Sequence, residues 1–176
     1  MRKDPARTSN LEAQMTSKAD FTDEEWTRLK RAPFVAGMAI SLADPGGPIE
    51  LYHETKAALE NVRGAASGAH GQLATAIAAD ALEDARQHKS PMGGFKPSKG
   101  AMAGAEILEE LGGVNAILNQ KASAEDATAV REWLLSSAQD AANAAKEGGF
   151  MGFHAERVSQ GEKDMLAKLG EVLVAG

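Results

Sequence analysis

Apolar residues recur at the spacing of an α-helix along most of the chain, which predicts an all-α fold. One stripe comprises Leu51, Thr55, Ala58, Leu59 and Val62, and a second comprises Ala74, Ile77, Ala78, Ala81, Leu82 and Ala85. A third runs through Ala127, Val130, Trp133, Leu134, Ala138, Ala141, Ala142 and Ala145, and a fourth through Met165, Leu166, Leu169, Val172 and Leu173. No segment alternates apolar and polar residues as a half-buried strand would. We therefore predict a single compact bundle of six or seven helices.

Two sequence signatures mark helix starts. In "FTDEEW", Thr22 and Glu25 have the spacing of a capping box, in which each side chain binds the backbone N–H of the other residue. Phe21 and Trp26 flank this box as a hydrophobic staple would. The range 159–162, a serine followed three residues later by a glutamate, repeats the capping pattern near the C-terminus.

The segment 34–43, "FVAGMAISLA", is apolar on every side of a helix. A helix without a polar face is normally buried all round, so this segment is predicted to run through the centre of the bundle, with Trp26 and Trp133 also in the core. Pro33 precedes it and is expected to kink or restart the helix, because proline cannot donate a backbone hydrogen bond.

The length and composition favour one folded domain. The chain has 176 residues, of which 43% are hydrophobic and 25% charged, as in ordinary globular domains. The first twenty residues are polar and mixed in charge, so we predict a disordered tail over 1–20 and a single helical domain over 21–175. Translation could begin at Met1 or at Met15.

Charge and cysteine content narrow the classes of function. The formal net charge of -6 argues against nucleic acid and anionic membrane as partners. The absence of cysteine excludes disulfides, thiolate metal sites and cysteine nucleophiles, and it agrees with a cytoplasmic location. No run of eighteen apolar residues predicts a transmembrane helix, and no motif calls for a cofactor.

Five residues form the candidate metal site. Glu50 and His53 have the Glu-x-x-His spacing of carboxylate-bridged di-iron bundles, which need a second such motif. Asp80, Asp84 and His88, spaced four apart, are the nearest substitute for that second motif. The alternative is that these side chains belong to solvated helix faces.

The glycine- and proline-rich segment 89–104 is the longest predicted loop. If an anion binds to it, Lys89, Lys96 and Lys99 are the candidate ligands, although a mobile surface loop is the simpler interpretation.

No catalytic residue is predicted. His154 and Glu156 have the His-x-Glu spacing of zinc deaminases, but the cysteines of that site are missing. No Gly-x-Ser-x-Gly motif and no phosphate-binding Gly-x-x-x-x-Gly-Lys-Ser/Thr loop is present.

A glycine pair at 148–149 interrupts the helical pattern and is followed by Phe150, Met151 and Phe153. Helices often end at such a glycine, with an apolar residue folding back onto the last turn. The alternative is an exposed apolar corner that contacts a protein partner or, less in keeping with the net charge, a membrane surface.

The C-terminal segment resembles the helix-turn-helix ends of TerB-like domains, the tellurite-resistance-associated helical family. The matching positions are Ala155, Val158, Ser159, Glu162, Leu166 and Leu169, with an earlier echo at Ala43, Asp44, Ile49, Glu54 and Leu59. The chain departs from the family pattern at residues 156–157, where Glu-Arg replaces Asp-Gly. The resemblance implies an all-α bacterial domain linked to metal or membrane stress, with acidic positions of interest at Asp44, Glu54, Glu156 and Glu162.

The leading functional hypothesis is a non-enzymatic cytoplasmic domain that acts through protein contacts, with self-association as the first case. The alanine-rich helix faces and the corner at 148–154 motivate it. The alternative is a helical bundle that binds a metal or a small ligand through Glu, Asp and His side chains.

Overall fold

The computed structural model describes residues 15–43, 48–100, 102–147 and 158–174, and the side chains of 48–55 and 145–147 also lie outside the description. A short 3-10 helix, Lys18–Asp20, precedes six α-helices in the described ranges. These are α1 (Asp23–Ala43), α2 (Pro48–Ala66), α3 (Gly71–Arg86), α4 (Ala103–Lys121), α5 (Ala124–Glu147) and α6 (Gln160–Val174). The all-α prediction is confirmed. None of the described helices is both long and apolar enough to cross a membrane.

Helices α4 and α6 run in the direction opposite to α1. The first turns of α4 and α6 lie side by side, since Gly104 lies against Met165. The first turn of α6 also lies at the end of α1, since Gly161 lies against the carbonyl of Ala43. At the opposite end, Lys121 near the end of α4 pairs with Glu25 in the first turn of α1, at 2.6 Å. The bundle therefore has one end that holds the last turn of α1 and the first turns of α4 and α6, and another that holds their opposite termini.

Helix α1 forms much of the core, as the apolar segment 34–43 predicted. Val35, Ala36, Ala39 and Ile40 are fully buried against the other helices. The prediction of burial on all sides is wrong at Leu42, which is 40% exposed near the end of the helix.

Pro33 does not break α1, which continues from residue 23 to residue 43. Proline lacks a backbone N–H, so it removes a single hydrogen bond from the helix, and the other backbone hydrogen bonds can continue the helix past it. The carbonyl of Pro33 accepts a hydrogen bond from the buried hydroxyl of Ser137 on α5, at 3.0 Å. This bond ties the two helices together at the proline.

Both predicted capping boxes are present. At α1, the backbone N–H of Thr22 donates to Glu25 at 2.7 Å, and that of Glu25 donates to the Thr22 hydroxyl at 3.2 Å. The rings of Phe21 and Trp26 lie 5.6 Å apart, as a staple requires. At α6, the same exchange joins the residues at 159 and 162.

The residues just before α1 pack against the bundle rather than extending the predicted disordered tail. The Thr16 hydroxyl accepts the backbone N–H of Ser123 at 2.8 Å, at the start of α5. Lys18 donates to Asp80 on α3 at 2.6 Å and lies over the ring of Trp26. Residues 15–20 thus bridge three helices, and the rest of the predicted tail, residues 1–14, lies outside the described chain.

The predicted loop between α3 and α4 is held against α1 and α4. The Arg31 guanidinium lies over the Phe95 ring at 5.5 Å and donates to the carbonyl of Gly93. Ser98 is bound through its hydroxyl and its backbone N–H to Glu106 in the first turn of α4. These contacts attach the loop to helices on both sides.

Candidate functional site: a polar groove between two antiparallel helices

A groove with a volume of 380 Å³ lies between α2 and α5. The described residues that line it are Ala57, Glu60, Asn61, Asp140, Asn143 and Ala144. The small alanine side chains leave space between the two helices, while carboxylate and amide groups supply its polar surface. A depression of this size can hold a small molecule or one side chain of another protein.

A hydrogen-bonded relay forms one wall of the groove. The indole Nε1 of Trp133, a fully buried side chain, donates to Oδ1 of Asn61 at 2.7 Å. The Asn61 Nδ2 in turn donates to Oδ2 of Asp140 at 2.6 Å. The relay connects the hydrophobic core to a carboxylate at the groove surface.

Among the described residues, the groove carries two formal negative charges, on Glu60 and Asp140, with little compensation. In the described part of the chain, the polar partner of Asp140 is the neutral amide of Asn61. Glu60 lies 3.8 Å from the ammonium of Lys56, and both side chains are 60% exposed, so water screens this pair. The arrangement leaves carboxylate oxygens able to accept hydrogen bonds from a cationic group.

The predicted metal ligands on α3 are paired with lysines. Asp80 accepts hydrogen bonds from Lys18 and from the indole of Trp26. Asp84 pairs with Lys30 on α1 and with Lys89. Among the described residues, no group of three or more His, Asp or Glu side chains could hold a metal ion. These two carboxylates connect helices and the following loop in this structure.

The pKa values of these carboxyls reflect the pairing. Hydrogen bonding to Lys30 lowers the pKa of Asp84 below its ordinary value, against an opposing effect of burial. For Asp80, burial acts to raise the pKa, but the hydrogen bonds from Lys18 and Trp26 outweigh it and the pKa is lowered. Both carboxylates are therefore held in the ionised form, as their lysine partners require.

Of the remaining members of the predicted metal site, His88 has a described side chain, and Glu50 and His53 do not. His88 follows α3 as an exposed residue with a positive φ of 57°, at the point where the chain leaves the helix. The backbone at Glu50 and His53 belongs to α2, but their side chains lie outside the described residues. A metal site that uses them stays a prediction.

The three lysines predicted to bind an anion have different surroundings. Lys89 donates to Asp84 at 3.1 Å, so its charge is partly neutralised. Lys96 and Lys99 are exposed on the loop that follows. The described structure thus gives Lys89 a structural partner and leaves anion binding as a prediction.

The predicted apolar corner, with Phe150, Met151 and Phe153, lies outside the described residues, as do Asp44, Glu156 and the side chain of Glu54. Glu162, the fourth acidic position implied by the TerB-like resemblance, is buried and caps α6. Its carboxylate is used to start a helix.

Sequence reasoning missed the groove. Asn61 and Asp140 are 79 positions apart, and neither belongs to a recognisable motif. The one available signal was Trp133, because a buried indole N–H needs an acceptor and the sequence supplied no obvious one nearby.

Comparison with protein-family models, curated proteins and solved structures found no match for this chain.

Proposed function

We propose that the protein is a binding domain, and that the groove between α2 and α5 accepts a cationic group, an alkylammonium or a guanidinium, presented by a basic side chain of a protein partner. The carboxylate of Asp140 carries this proposal, because it lies in a preformed groove with a neutral amide as its described partner. A charge-assisted hydrogen bond is about twice as strong as a neutral one, so a cation is the group that this surface favours.

The chemistry of the lining supports a cation over an anion or an apolar ligand. Glu60 and Asp140 would repel an anion, and the amide side chains at Asn61 and Asn143 favour a polar occupant. Because the groove is open to solvent, one isolated cation should bind weakly, with a free energy of about −4 kcal/mol, a Kd near 1 mM. A partner with several basic side chains would bind more tightly through additional contacts.

An NMR titration tests the proposal. Methylguanidinium chloride and butylammonium chloride are added to ¹⁵N-labelled protein at constant ionic strength, and we expect saturable shifts at the backbone amides of Asn61 and Asp140. Asp140→Asn keeps an acceptor for the Asn61 amide while removing the charge, so it should abolish the shifts. Glu132→Gln, which removes an exposed charge from the same helix outside the groove, is the matched control.

The same titration distinguishes the two sources of the cation. A short arginine- and lysine-containing peptide should bind at least about tenfold more tightly than methylguanidinium if the natural partner is a protein chain. Equal affinities would point to a small amine instead. If neither probe causes saturable shifts, or if Asp140→Asn binds as the wild type does, the groove is not a cation site.

We also propose self-association through the end of the bundle that holds the last turn of α1 and the first turn of α4. Leu42 and Met102, 40% and 67% exposed, both lie at this end. A second copy of the chain would remove these apolar side chains from water.

Light scattering after size-exclusion chromatography tests self-association. We expect an oligomer for the wild type and a smaller species for Leu42→Glu combined with Met102→Glu. Val174→Glu alters an equally exposed apolar residue at the other end of α6 and should leave the mass unchanged. A monomeric wild type at high concentration would contradict this second proposal.

The stress-related role implied by the TerB-like resemblance stays a prediction. It is compatible with either binding mode, since both concern what the helical domain contacts.

A further inference from the structure

The relay of Trp133, Asn61 and Asp140 in the groove wall has one arrangement that satisfies both of its hydrogen bonds. The indole Nε1–H of Trp133 can only donate, and the ionised carboxylate of Asp140 can only accept. The side-chain amide of Asn61 has one acceptor and one donor group, so its Oδ1 must face the indole and its Nδ2 must face the carboxylate. If the amide were rotated by half a turn, its NH₂ group would face the indole N–H and its oxygen would face the carboxylate, so neither hydrogen bond could form.

We infer that Trp133, a residue that does not line the groove, determines the affinity of the groove for its cationic ligand by fixing the orientation of the Asn61 amide. This inference rests on the proposed function of the groove. Trp133 and Asn61 are positioning residues, and Asp140 is the residue that contacts the ligand.

The physical reason is preorganisation. The indole of Trp133 is fully buried among core side chains, so its N–H direction is set by the packing of the bundle. That direction fixes the amide, and the amide holds Oδ2 of Asp140 at 2.6 Å. A carboxylate that is already oriented loses less conformational freedom when a ligand binds, and the saved entropy increases affinity.

Trp133→Phe removes the donor and keeps an aromatic side chain in the core. Without the indole N–H, Oδ1 of Asn61 loses its donor, and the amide is held only at its Nδ2, by Asp140 and by the Ser136 hydroxyl. The amide and the carboxylate can then move together, so the carboxylate is less firmly oriented. We expect methylguanidinium to bind roughly threefold to tenfold more weakly, which is the range for one lost hydrogen bond. Asn61→Ala should weaken binding by a similar factor.

The wild-type protein offers a second measurement that needs no core variant. Its two tryptophans give two indole N–H signals, and Trp26, bound to Asp80 on the α1–α3 side of the bundle, is the internal control. Occupancy of the groove should shift the Trp133 indole signal and leave that of Trp26 in place.

The experiment is the NMR titration with methylguanidinium chloride on the wild type, Trp133→Phe, Asn61→Ala and the control Glu132→Gln. A merely structural role for Trp133 would lower the unfolding midpoint but leave the Kd of the folded protein unchanged. The inference is supported if the Kd rises in both relay variants and the wild-type Trp133 signal moves. It is overturned if the wild type binds but its Trp133 signal is static, or if both variants bind with the wild-type Kd; the cation site itself would survive that outcome. No saturable binding to the wild type would remove both proposals.

Discussion

Replacing Glu110 by glutamine should destabilise the fold more than a typical point mutation does. The Glu110 side chain on α4 is 9% exposed and is bound by two guanidinium groups from α1. Arg28 donates to both carboxylate oxygens, at 3.1 and 2.9 Å, and Arg31 donates through Nε at 2.8 Å. Glutamine has the same shape but no charge, and its amide NH₂ would face donors.

The size of the effect follows from burial. Removing one partner from a buried ion pair costs about 3–5 kcal/mol, because the remaining charges lose compensation without regaining water. The Arg28 side chain is 28% exposed and can recover part of its hydration, so we expect the lower limit, about 3 kcal/mol. For a protein of this size, that corresponds to a fall in Tm of roughly 6–12 °C.

Urea unfolding at pH 7, followed by circular dichroism, measures the effect. Glu109→Gln removes an exposed charge from the adjacent position and should change stability by less than about 0.5 kcal/mol. Replacing Arg28, Arg31 and Glu110 together by methionine should cost less than Glu110→Gln alone, since no buried charge is then left unpaired. A loss below about 1 kcal/mol for Glu110→Gln, or a triple variant less stable than the single one, would refute this reasoning.

Three further changes test other contacts. Gly93→Ala should cost about 1–2 kcal/mol of stability from its positive φ alone. It should cost more than Gly94→Ala, because the new Cβ at 93 would lie 2.7 Å from a methyl of Thr27, whereas a Cβ at 94 has no neighbouring atom within 4 Å. Equal urea midpoints for the two variants would contradict the contact with Thr27. The pKa of Asp84 is lower in the folded protein than in the unfolded chain, where it is about 3.9. Its ion pairs therefore stabilise the fold above the unfolded pKa, and this stabilisation is lost as the pH falls through the folded pKa. Asp84→Asn should make the urea midpoint fall less between neutral and acidic pH, and an unaltered pH profile would contradict this. Ser137→Ala should cost about 0.5–1.5 kcal/mol for the hydrogen bond between α5 and α1, and a thermal scan showing no loss would indicate that the bond is not stabilising.

Local signals in the sequence predicted the helices well, since their causes are local. A capping box involves residues three positions apart, and both boxes formed as expected. The burial of 34–43 followed from its composition, but the exposure of Leu42 depends on where α1 ends relative to its neighbours. Of the two outcomes predicted for Pro33, the restart is wrong, since α1 is continuous from residue 23 to residue 43.

The groove and the charged clusters could not be predicted in the same way, because their partners are far apart in the chain. Asp84 and Lys30 are separated by 54 positions, and Glu110 and Arg28 by 82. The spacing of Asp80, Asp84 and His88 correctly placed two carboxylates on one helix face, but it could not show that lysines from other segments would pair with them. A sequence pattern identifies a helix face, and the tertiary fold decides what that face contacts.

The charge of its partner separates Asp140 from the other carboxylates that connect helices in the described chain. Asp84 and Glu110 are bound by lysine or arginine, so each cluster has little remaining attraction for an external cation. Asp140 is bound by a neutral amide, which orients the carboxylate without cancelling its charge. Its attraction for a cation therefore persists over the Debye length of the solution, about 8 Å at physiological ionic strength. The affinity of the groove for a cation should accordingly fall as salt is added. The contribution of the Glu110 ion pairs to folding stability should change much less, because that buried cluster is largely shielded from mobile ions.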